Sequence, residues 1–191
     1  RIRLPSISVG ATENALIAAS YAKGTTYLSN CVCEPEIKDL TIFLKKMGIK
    51  IQWIGERKVK ISGSHNLKSV SHTVMFDRIE AGTFVIAGAL TGKKLKISGI
   101  DTKILKKEIS VLKKMNVKLR VNKNDITILN SKNIKPVSIS TQPYPGFPTD
   151  LQAQIMVLMT RANGISKIKE NIFENRFMHV PELNRMGAKI K

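Results

Sequence analysis

The 191-residue sequence has few acidic residues, few aromatic residues and only two cysteines. Its apolar runs are much shorter than the ~18 residues that a transmembrane helix needs, so no membrane association is predicted. Aromatic residues make up 5% of the chain, which leaves little material for stacking on nucleic-acid bases. By contrast, 42% of the residues are hydrophobic, so the chain can bury a core and is not predicted to be disordered.

The shortage of acidic residues gives the chain a formal net charge of +18, from 32 basic and 14 acidic side chains. Such a charge is compatible with a basic nucleic-acid-binding module. The basic residues are mostly lysines in singles and pairs, such as Lys45-Lys46 and Lys113-Lys114, whereas base readout favours arginine. We therefore favour a solvated lysine-rich surface without a nucleic-acid partner, and keep the binding module as an alternative.

The two cysteines, Cys31 and Cys33, are one residue apart. Extended residues at this spacing point to opposite faces, which makes a disulfide between them geometrically poor. A zinc site needs about four ligands, commonly at other spacings. The sequence therefore predicts reduced thiols, no metal site, and a cytoplasmic location.

Two landmarks recur three times along the chain and indicate an internal repeat. One is a glycine that follows an apolar helical segment, and the other is a methionine that follows a pair of polar or basic residues. The landmarks are Gly24, Gly92 and Gly164, and Met47, Met115 and Met186. Each methionine follows its glycine by 22 or 23 residues (47 − 24 = 23, for example), a spacing that chance does not easily repeat.

Each copy is predicted to fold as a βαβαββ unit in an α/β fold. The predicted lead-in strands are residues 2–9, 72–76 and 136–140; the first helices are 13–21, 80–90 and 150–161; the fourth strands are 58–62 and 125–129. The glycine after each first helix is expected to end it in a left-handed conformation. Because the third copy stops as its third strand begins, we expect the chain to be truncated at its C-terminus, and at its N-terminus as well.

In parallel α/β sheets, ligands collect where strands end and loops lead into helix N-termini. One such loop, Ser8-Val9-Gly10, could cradle a diphosphate with its N–H groups or could simply cap a helix, and both interpretations stay open. Another loop carries three prolines and a glycine before Asp150. A rigidly held Asp150 could accept a proton from a substrate hydroxyl. Alternatively, Thr149 and Gln152 could form a capping box, with Asp150 favouring the helix dipole.

Six other residues carry groups that could act in a site. Glu34 and Glu36 flank a proline in the pattern of a helix first turn, which favours a structural role. Arg176 could hold an anion, and His179 is more typical of a packed histidine. The pair Asp77-Arg78 could be a linker ion pair or a ligand contact.

Five motifs, taken in order, resemble one known family. They are Ser8-Val9-Gly10-Ala11-Thr12-Glu13-Asn14, Glu34-Pro35-Glu36-Ile37, Asp77-Arg78-Ile79-Glu80-Ala81-Gly82-Thr83, residues 143–154, and Phe173-Glu174-Asn175-Arg176-Phe177-Met178-His179-Val180. The sequence resembles the UDP-N-acetylglucosamine enolpyruvyl transferases (1-carboxyvinyltransferases) over essentially its whole length. The resemblance implies transfer of an enolpyruvyl group from phosphoenolpyruvate to the sugar 3-hydroxyl through a tetrahedral ketal, the first committed step of peptidoglycan synthesis.

The resemblance also implies a two-domain fold of three βαβαββ units per domain, an inside-out α/β barrel. Residues 1–75 would then be the last unit of one domain, 76–80 an interdomain linker, and 81–191 one full and one truncated unit of the other. Asp150 would be the catalytic base. The substrate-binding residues would be Ser6, Ile7, Ser8, Val9 and Gly10 at the nucleotide diphosphate, Ile172 and Phe173 at the uridine, and Glu34 and Arg176 along the cleft.

Some positions depart from the family pattern. Ser6 stands where some members have a lysine, and Cys33 where many have a basic residue. The family's Lys-Asn pair for phosphoenolpyruvate, its mobile loop with a reactive cysteine, and its late arginines would all lie outside these 191 residues. We therefore expect the isolated chain to be inactive, with the rest of the same polypeptide as its missing partner, and expect no cofactor. A transferase of the shikimate-pathway type is the alternative within the fold.

Overall fold

The first part of the chain folds in the order strand, helix, strand, helix, strand, strand. These elements are β1 (Ile2–Arg3), α1 (Val9–Tyr21), β2 (Thr25–Ser29), α2 (Pro35–Lys46), β3 (Lys50–Gly55) and β4 (Lys58–Ser62). The strands form one sheet in the order β1-β2-β4-β3, in which β1 and β2 are parallel and the other pairs antiparallel. In β4, Val59 and Ile61 are fully buried while Lys58 and Lys60, which alternate with them, are not, as a strand's alternation requires.

The second part of the chain contains ten further elements. They are α3 (Arg78–Thr91), β5 (Leu95–Ser98), α4 (Lys106–Lys114), β6 (Leu119–Val121), β7 (Asp125–Ile128), β8 (Ser138–Ser140), a 3₁₀ turn (Thr149–Leu151), α5 (Gln152–Met159), β9 (Lys167–Lys169) and α6 (Val180–Arg185). The strands form an antiparallel sheet, β5-β7-β6, and a parallel pair, β8-β9. Helices α3 and α5 pack together in a core that includes Val85, Leu151 and Ile155.

This computed structural model describes residues 1–191, which divide into two units, Arg1–Met75 and Phe76–Lys191. Each unit has its own hydrophobic core. The passage between them falls at Met75 and Phe76, and α3 already begins at Arg78. The assignment of these units to the domains of a longer fold stays a prediction. None of the helices combines the length and apolar character needed to cross a bilayer.

The predicted mixed α/β fold is confirmed, and the first copy has the full βαβαββ order. All three sheets are open, so none of them closes into a barrel. The predicted lead-in strand at residues 72–76 is wrong, because no strand forms there. The first sheet has β1 beside β2, whereas the equivalent edge of β5 has no hydrogen-bonded neighbour.

The predicted third strand of the last copy is also absent. Instead, the chain folds back on α6: the Ala188 N–H donates to the Leu183 carbonyl, and the Ile190 N–H donates to Asn184 Oδ1 at 2.9 Å. Asn184 Nδ2 in turn donates to the Ile190 carbonyl at 2.9 Å. The Ile190 N–H and carbonyl, which a strand would offer to a sheet, are thus occupied by a side chain of α6.

The repeated glycines have the predicted left-handed conformations, with φ of +83° at Gly24, +66° at Gly92 and +136° at Gly164. Only Gly92 directly caps its helix, α3. Helices α1 and α5 end earlier, at Tyr21 and Met159, so the other two glycines turn the chain after the helix has stopped.

Candidate functional site

The first candidate site is the N-terminus of α1 in the first unit. Ser8 is the N-cap: its Oγ accepts from the Ala11 N–H at 3.3 Å and its carbonyl accepts from the Thr12 N–H at 3.1 Å. The N–H groups of Val9 and Gly10 lie in the first turn, where a helix offers no backbone acceptor. A side chain at Gly10 would meet nothing within 4 Å, so the space above this turn is open. The capping interpretation is confirmed, and two N–H donors remain for an anion.

The flanking residues Ser6 and Ile7 are exposed. Glu34 differs, because only 7% of it is exposed; its carbonyl accepts from the Ile37 and Lys38 N–H groups at the start of α2. Its side chain makes no capping hydrogen bond, so it supports the helix through its backbone. Glu34 is therefore part of the packed first unit.

Both cysteines are free thiols, as predicted. Cys31 is fully buried, and burial raises its pKa, with the neighbouring Cys33 adding to the effect. Burial also raises the pKa of the Cys33 thiol, which Arg57 and Lys38 only partly offset. Cys33 Sγ donates to the Glu56 carbonyl at 2.8 Å, which favours the protonated thiol. Neither residue is a thiolate nucleophile at neutral pH.

The second candidate site lies in the second unit, where a proline-rich loop leads to Asp150. Gly146 closes a tight turn by donating to the Pro143 carbonyl at 2.8 Å. A Cβ there would lie 2.4 Å from Gln142 Cβ, so glycine alone fits without a shift. Phe147 is 1% exposed and anchors the loop in the core. The loop is thus fixed at both its turn and its anchor, immediately before the 3₁₀ turn that carries Asp150.

Asp150 and Arg176 form the centre of this second site. Arg176 Nη2 donates to Asp150 Oδ1 at 2.7 Å, and Arg176 Nη1 donates to Thr149 Oγ1 at 2.9 Å. Asp150 Oδ2 has no protein partner, and the side chain is 54% exposed. Arg176 follows Asn175, whose φ of +54° turns the backbone and is tolerated by asparagine. The result is a carboxylate held at one oxygen and open to solvent at the other.

Glu170, immediately after β9, is linked to the Asp150–Arg176 pair through Thr149. Its Oε2 accepts from Thr149 Oγ1 at 2.9 Å, and its Oε1 accepts from Thr141 Oγ1 and the Ile172 N–H, each at 2.8 Å. Oε1 also accepts from the Phe173 N–H at 3.2 Å. Burial raises the pKa of the Glu170 carboxyl, but these hydrogen bonds lower it, that of Thr141 most, and the net pKa is below its ordinary value.

Phe173 lies beside the Asp150–Arg176 pair. Its side chain is 57% exposed, and the Arg176 guanidinium carbon lies 5.0 Å from the centroid of its ring. This distance allows a cation–π contact. Ile172, the preceding residue, is half-buried. An exposed aromatic face next to a guanidinium can stack against a flat ring.

The structure thus brings together Asp150, Arg176, Ile172 and Phe173 in the second unit. The capping-box interpretation of Thr149 is wrong, because its hydroxyl bonds to Glu170 and Arg176 and makes no capping bond. The Gln152 amide is 1% exposed and has no hydrogen-bond partner, so it takes no part in a box either.

Glu170 was not predicted from the sequence. The sequence feature that could have indicated it is an acidic residue at the carboxyl end of a strand, where ligand sites collect. Asp77 and Arg78 do not form an ion pair with each other; Asp77 is exposed and Arg78 is buried, and a ligand contact at this pair stays a prediction. Asp77 Oδ1 caps α3 by accepting from the Ile79 and Glu80 N–H groups at 2.7 and 3.1 Å. Arg78 is 7% exposed and lies 3.9 Å from a carboxylate oxygen of Glu108.

His179 is half-buried at the N-terminus of α6, and its carbonyl accepts from the Leu183 N–H at 3.0 Å. Burial lowers the pKa of its imidazole. This is the environment of a packed histidine, as the sequence favoured.

Solved structures with this architecture define its class. The crystal structure of the enolpyruvyl transferase NikO from Streptomyces tendae matches with a TM-score of 0.87 and 30% identity, over 94% of this chain and 43% of that chain. EPSP synthase from Acinetobacter baumannii shares the fold, with a TM-score of 0.65 and 20% identity over 98% of this chain and 44% of that one. The architecture is that of the enolpyruvyl transferases.

Sequence comparison then gives the family: residues 1–191 match EPSP synthase (3-phosphoshikimate 1-carboxyvinyltransferase), and the chain belongs to this family. Two relatives bear the name UDP-N-acetylglucosamine 1-carboxyvinyltransferase. That of Pelagibacter ubique is 62% identical over 99% of this chain and 45% of its own length. That of Rhodopseudomonas palustris is 49% identical over 100% of this chain and 44% of its own length. The chain therefore spans somewhat less than half the length of these relatives.

Proposed function

We propose that this chain serves enolpyruvyl transfer from phosphoenolpyruvate to the 3-hydroxyl of UDP-N-acetylglucosamine, in the cytoplasm, as the first committed step of peptidoglycan synthesis. The names of relatives at 62% and 49% identity support the choice of sugar nucleotide. The observation that carries the chemistry is the geometry of Asp150, one oxygen of which lies 2.7 Å from Arg176 while the other faces solvent.

In this proposal Asp150 is the catalytic base. As the sugar 3-oxygen attacks C2 of phosphoenolpyruvate, its proton passes to the open Oδ2 of Asp150. A general acid delivers a separate proton to C3, which gives a tetrahedral ketal; in the elimination a base takes a proton back from C3 as phosphate leaves. Arg176 orients the carboxylate through Oδ1 and leaves Oδ2 for the substrate, and the fixed proline-rich loop holds this arrangement before the substrate arrives.

Each unit has its own residues that are proposed to bind part of a nucleotide. In the first unit, the N–H groups of Val9 and Gly10 and the Ser8 hydroxyl suit a diphosphate at the N-terminus of α1, with Ser6 and Ile7 beside them. In the second unit, the exposed ring of Phe173, with Ile172, suits the uridine base. Arg176, whose side chain is 35% exposed, and the buried Glu34 stay proposed substrate-binding residues.

The test uses the protein expressed from its complete reading frame. Asp150→Asn keeps the hydrogen bond from Arg176 but removes the base, so we expect turnover to fall by ~100-fold or more. Binding of UDP-N-acetylglucosamine, measured by calorimetry, should change less than about threefold, since the lost group acts on the transferred proton. Asp101→Asn is the matched control, because Asp101 Oδ1 accepts only from the Lys103 N–H in an exposed turn. Equal turnover in Asp150→Asn and wild type would contradict the base assignment.

The family match also favours a second candidate, transfer to 3-phosphoshikimate, because the family carries that activity in its description. A binding titration separates the two. Saturable binding of UDP-N-acetylglucosamine without binding of shikimate-3-phosphate supports the main proposal, and the reverse pattern supports the second.

A further inference from the structure

We propose that Glu170 is a positioning residue whose two carboxylate oxygens hold different parts of the site. Oε1 holds the Ile172–Phe173 backbone, which is proposed to contact the uridine. Oε2 holds the Thr149 hydroxyl, through which Arg176 and Asp150 are aligned. This inference rests on the proposed function. Oε1 accepts from the Ile172 and Phe173 N–H groups and from Thr141, while Oε2 accepts from the Thr149 hydroxyl alone. Substitutions at Glu170 can therefore separate the two functions of the site.

Hydrogen-bond direction links Oε2 to Asp150. A threonine hydroxyl has one proton to donate and two lone pairs with which to accept. Thr149 gives its proton to Glu170, since a carboxylate can only accept, and so presents a lone pair to Arg176 Nη1 at 2.9 Å. The guanidinium is planar, so fixing Nη1 also fixes the direction in which Nη2 meets Asp150 Oδ1. Glu170 thus sets the hydroxyl orientation on which the aligned Arg176–Asp150 pair depends.

Glu170 is also tied to the ends of both parallel strands. Thr141, directly after β8, is fully buried and accepts from the Asn171 N–H at 2.9 Å while donating to Oε1. Asn171 Nδ2 donates to the Thr141 carbonyl at 3.1 Å and to Ser140 Oγ. The Glu170 carboxylate is therefore held by hydrogen bonds that restrict its rotation, as a positioning group requires.

All four hydrogen-bond partners of Glu170 are neutral donors, so Glu170 acts in the site as a hydrogen-bond acceptor. Glu170→Gln keeps the size of the side chain but offers one acceptor oxygen and one NH₂ group. The oxygen can retain the three bonds of the Oε1 side, whereas the NH₂ group cannot accept the Thr149 proton. We therefore expect Glu170→Gln to disturb the alignment of Asp150 and to spare the Ile172–Phe173 backbone.

The kinetic experiment uses the protein from its complete reading frame. Glu170→Gln and Thr149→Val should each lower turnover by ~10- to 100-fold, the scale expected for a misaligned reacting group, while UDP-N-acetylglucosamine affinity changes less than about threefold. Thr149→Ser, unlike Thr149→Val, keeps the hydroxyl, and its turnover should lie within about threefold of the wild-type value. Glu182→Gln, which removes the same charge from an exposed pair with Arg185, is the control and should leave both values unchanged.

A purely structural role would give a different pattern: a lower melting temperature with normal turnover in the protein that remains folded. That pattern, or turnover within about twofold of wild type in Glu170→Gln, would overturn the proposal. Equal losses in Glu170→Gln and the Glu182→Gln control would also overturn it.

A second measurement does not depend on activity. In amide exchange of the same protein, Ile172 and Phe173 should keep their protection in Glu170→Gln and lose it in Glu170→Ala, and NMR signals of the Arg176 guanidinium should shift in both. Unchanged protection in Glu170→Ala would overturn the proposal. If the exchange results hold but wild-type protein transfers no enolpyruvyl group to UDP-N-acetylglucosamine, the proposed function fails while the hydrogen-bond arrangement stands.

Discussion

Gly82, in the middle of α3, should not tolerate a methyl group, because it packs directly on the residue next to Asp150. A Cβ at Gly82 would lie 2.5 Å from Leu151 Cδ1, whereas carbon atoms pack best at ~3.5–4.0 Å. Leu151 is fully buried in a close-packed core, so moving its Cδ1 methyl group disturbs neighbouring side chains. The contact requires a displacement of ~1 Å or more at the 3₁₀ turn.

Two opposing terms set the size of the effect. Replacing a helical glycine by alanine gains ~1 kcal/mol of intrinsic helix stability. Overpacking a filled core costs ~1–3 kcal/mol. For Gly82→Ala we expect a net loss of ~1 kcal/mol, with the overpacking term dominant because the overlap is large. Gly88→Ala in the same helix is the matched control: its nearest contacts would be 3.2 and 3.3 Å, so the two terms should nearly cancel.

Native-state amide exchange is the suitable assay, because the chain has two units and its one tryptophan, Trp53, reports only on the first. A loss of ~1 kcal/mol speeds exchange of globally protected amides by about fivefold. We expect this for Ile128 and Ile155 in Gly82→Ala, with no change for Ile61 in the first unit. Exchange in Gly82→Ala that is no faster than in Gly88→Ala would refute the claim that Leu151 is firmly held.

Two further predictions concern a cap and the thiols. Asp77→Ala removes the side chain that caps α3 with bonds of 2.7 and 3.1 Å, and should destabilise the second unit by ~1 kcal/mol in the same exchange assay, whereas Asp77→Asn should lose less. Alkylation by iodoacetamide at pH 7 should be slower at Cys33 than at free cysteine and slowest at Cys31. Because burial raises the pKa of both thiols, the alkylation rate should rise with pH to a midpoint above the ordinary thiol pKa. A midpoint below that value, in peptide-mapped alkylation, would contradict the burial argument.

Much of the fold could be predicted from the repeat. The glycine and methionine landmarks located the helices and most strands, because helical spacing and left-handed glycines are local properties of the chain. The missing strands show the limit of this approach. A strand needs a partner edge, and here Ile190 bonds to Asn184 and Ala188 to the Leu183 carbonyl instead, which no local pattern indicates.

The candidate site, too, was only partly predictable from the sequence. Asp150 could be singled out because Pro143, Pro145 and Pro148 lie close before it in the sequence. The role of Thr149 could not, because its partners Glu170 and Arg176 lie 21 and 27 residues away, and a capping box was the local alternative. Burial of Glu34 and Arg78 was also beyond the sequence, since charged residues are rarely buried and only tertiary packing reveals the exceptions.

The most direct test of the account is phosphate release from phosphoenolpyruvate by the protein from its complete reading frame, with UDP-N-acetylglucosamine or shikimate-3-phosphate as acceptor. The account predicts phosphate release that depends on UDP-N-acetylglucosamine and falls by ~100-fold or more in Asp150→Asn. Release that depends instead on shikimate-3-phosphate would contradict the proposed acceptor, and full activity in Asp150→Asn would contradict the proposed base.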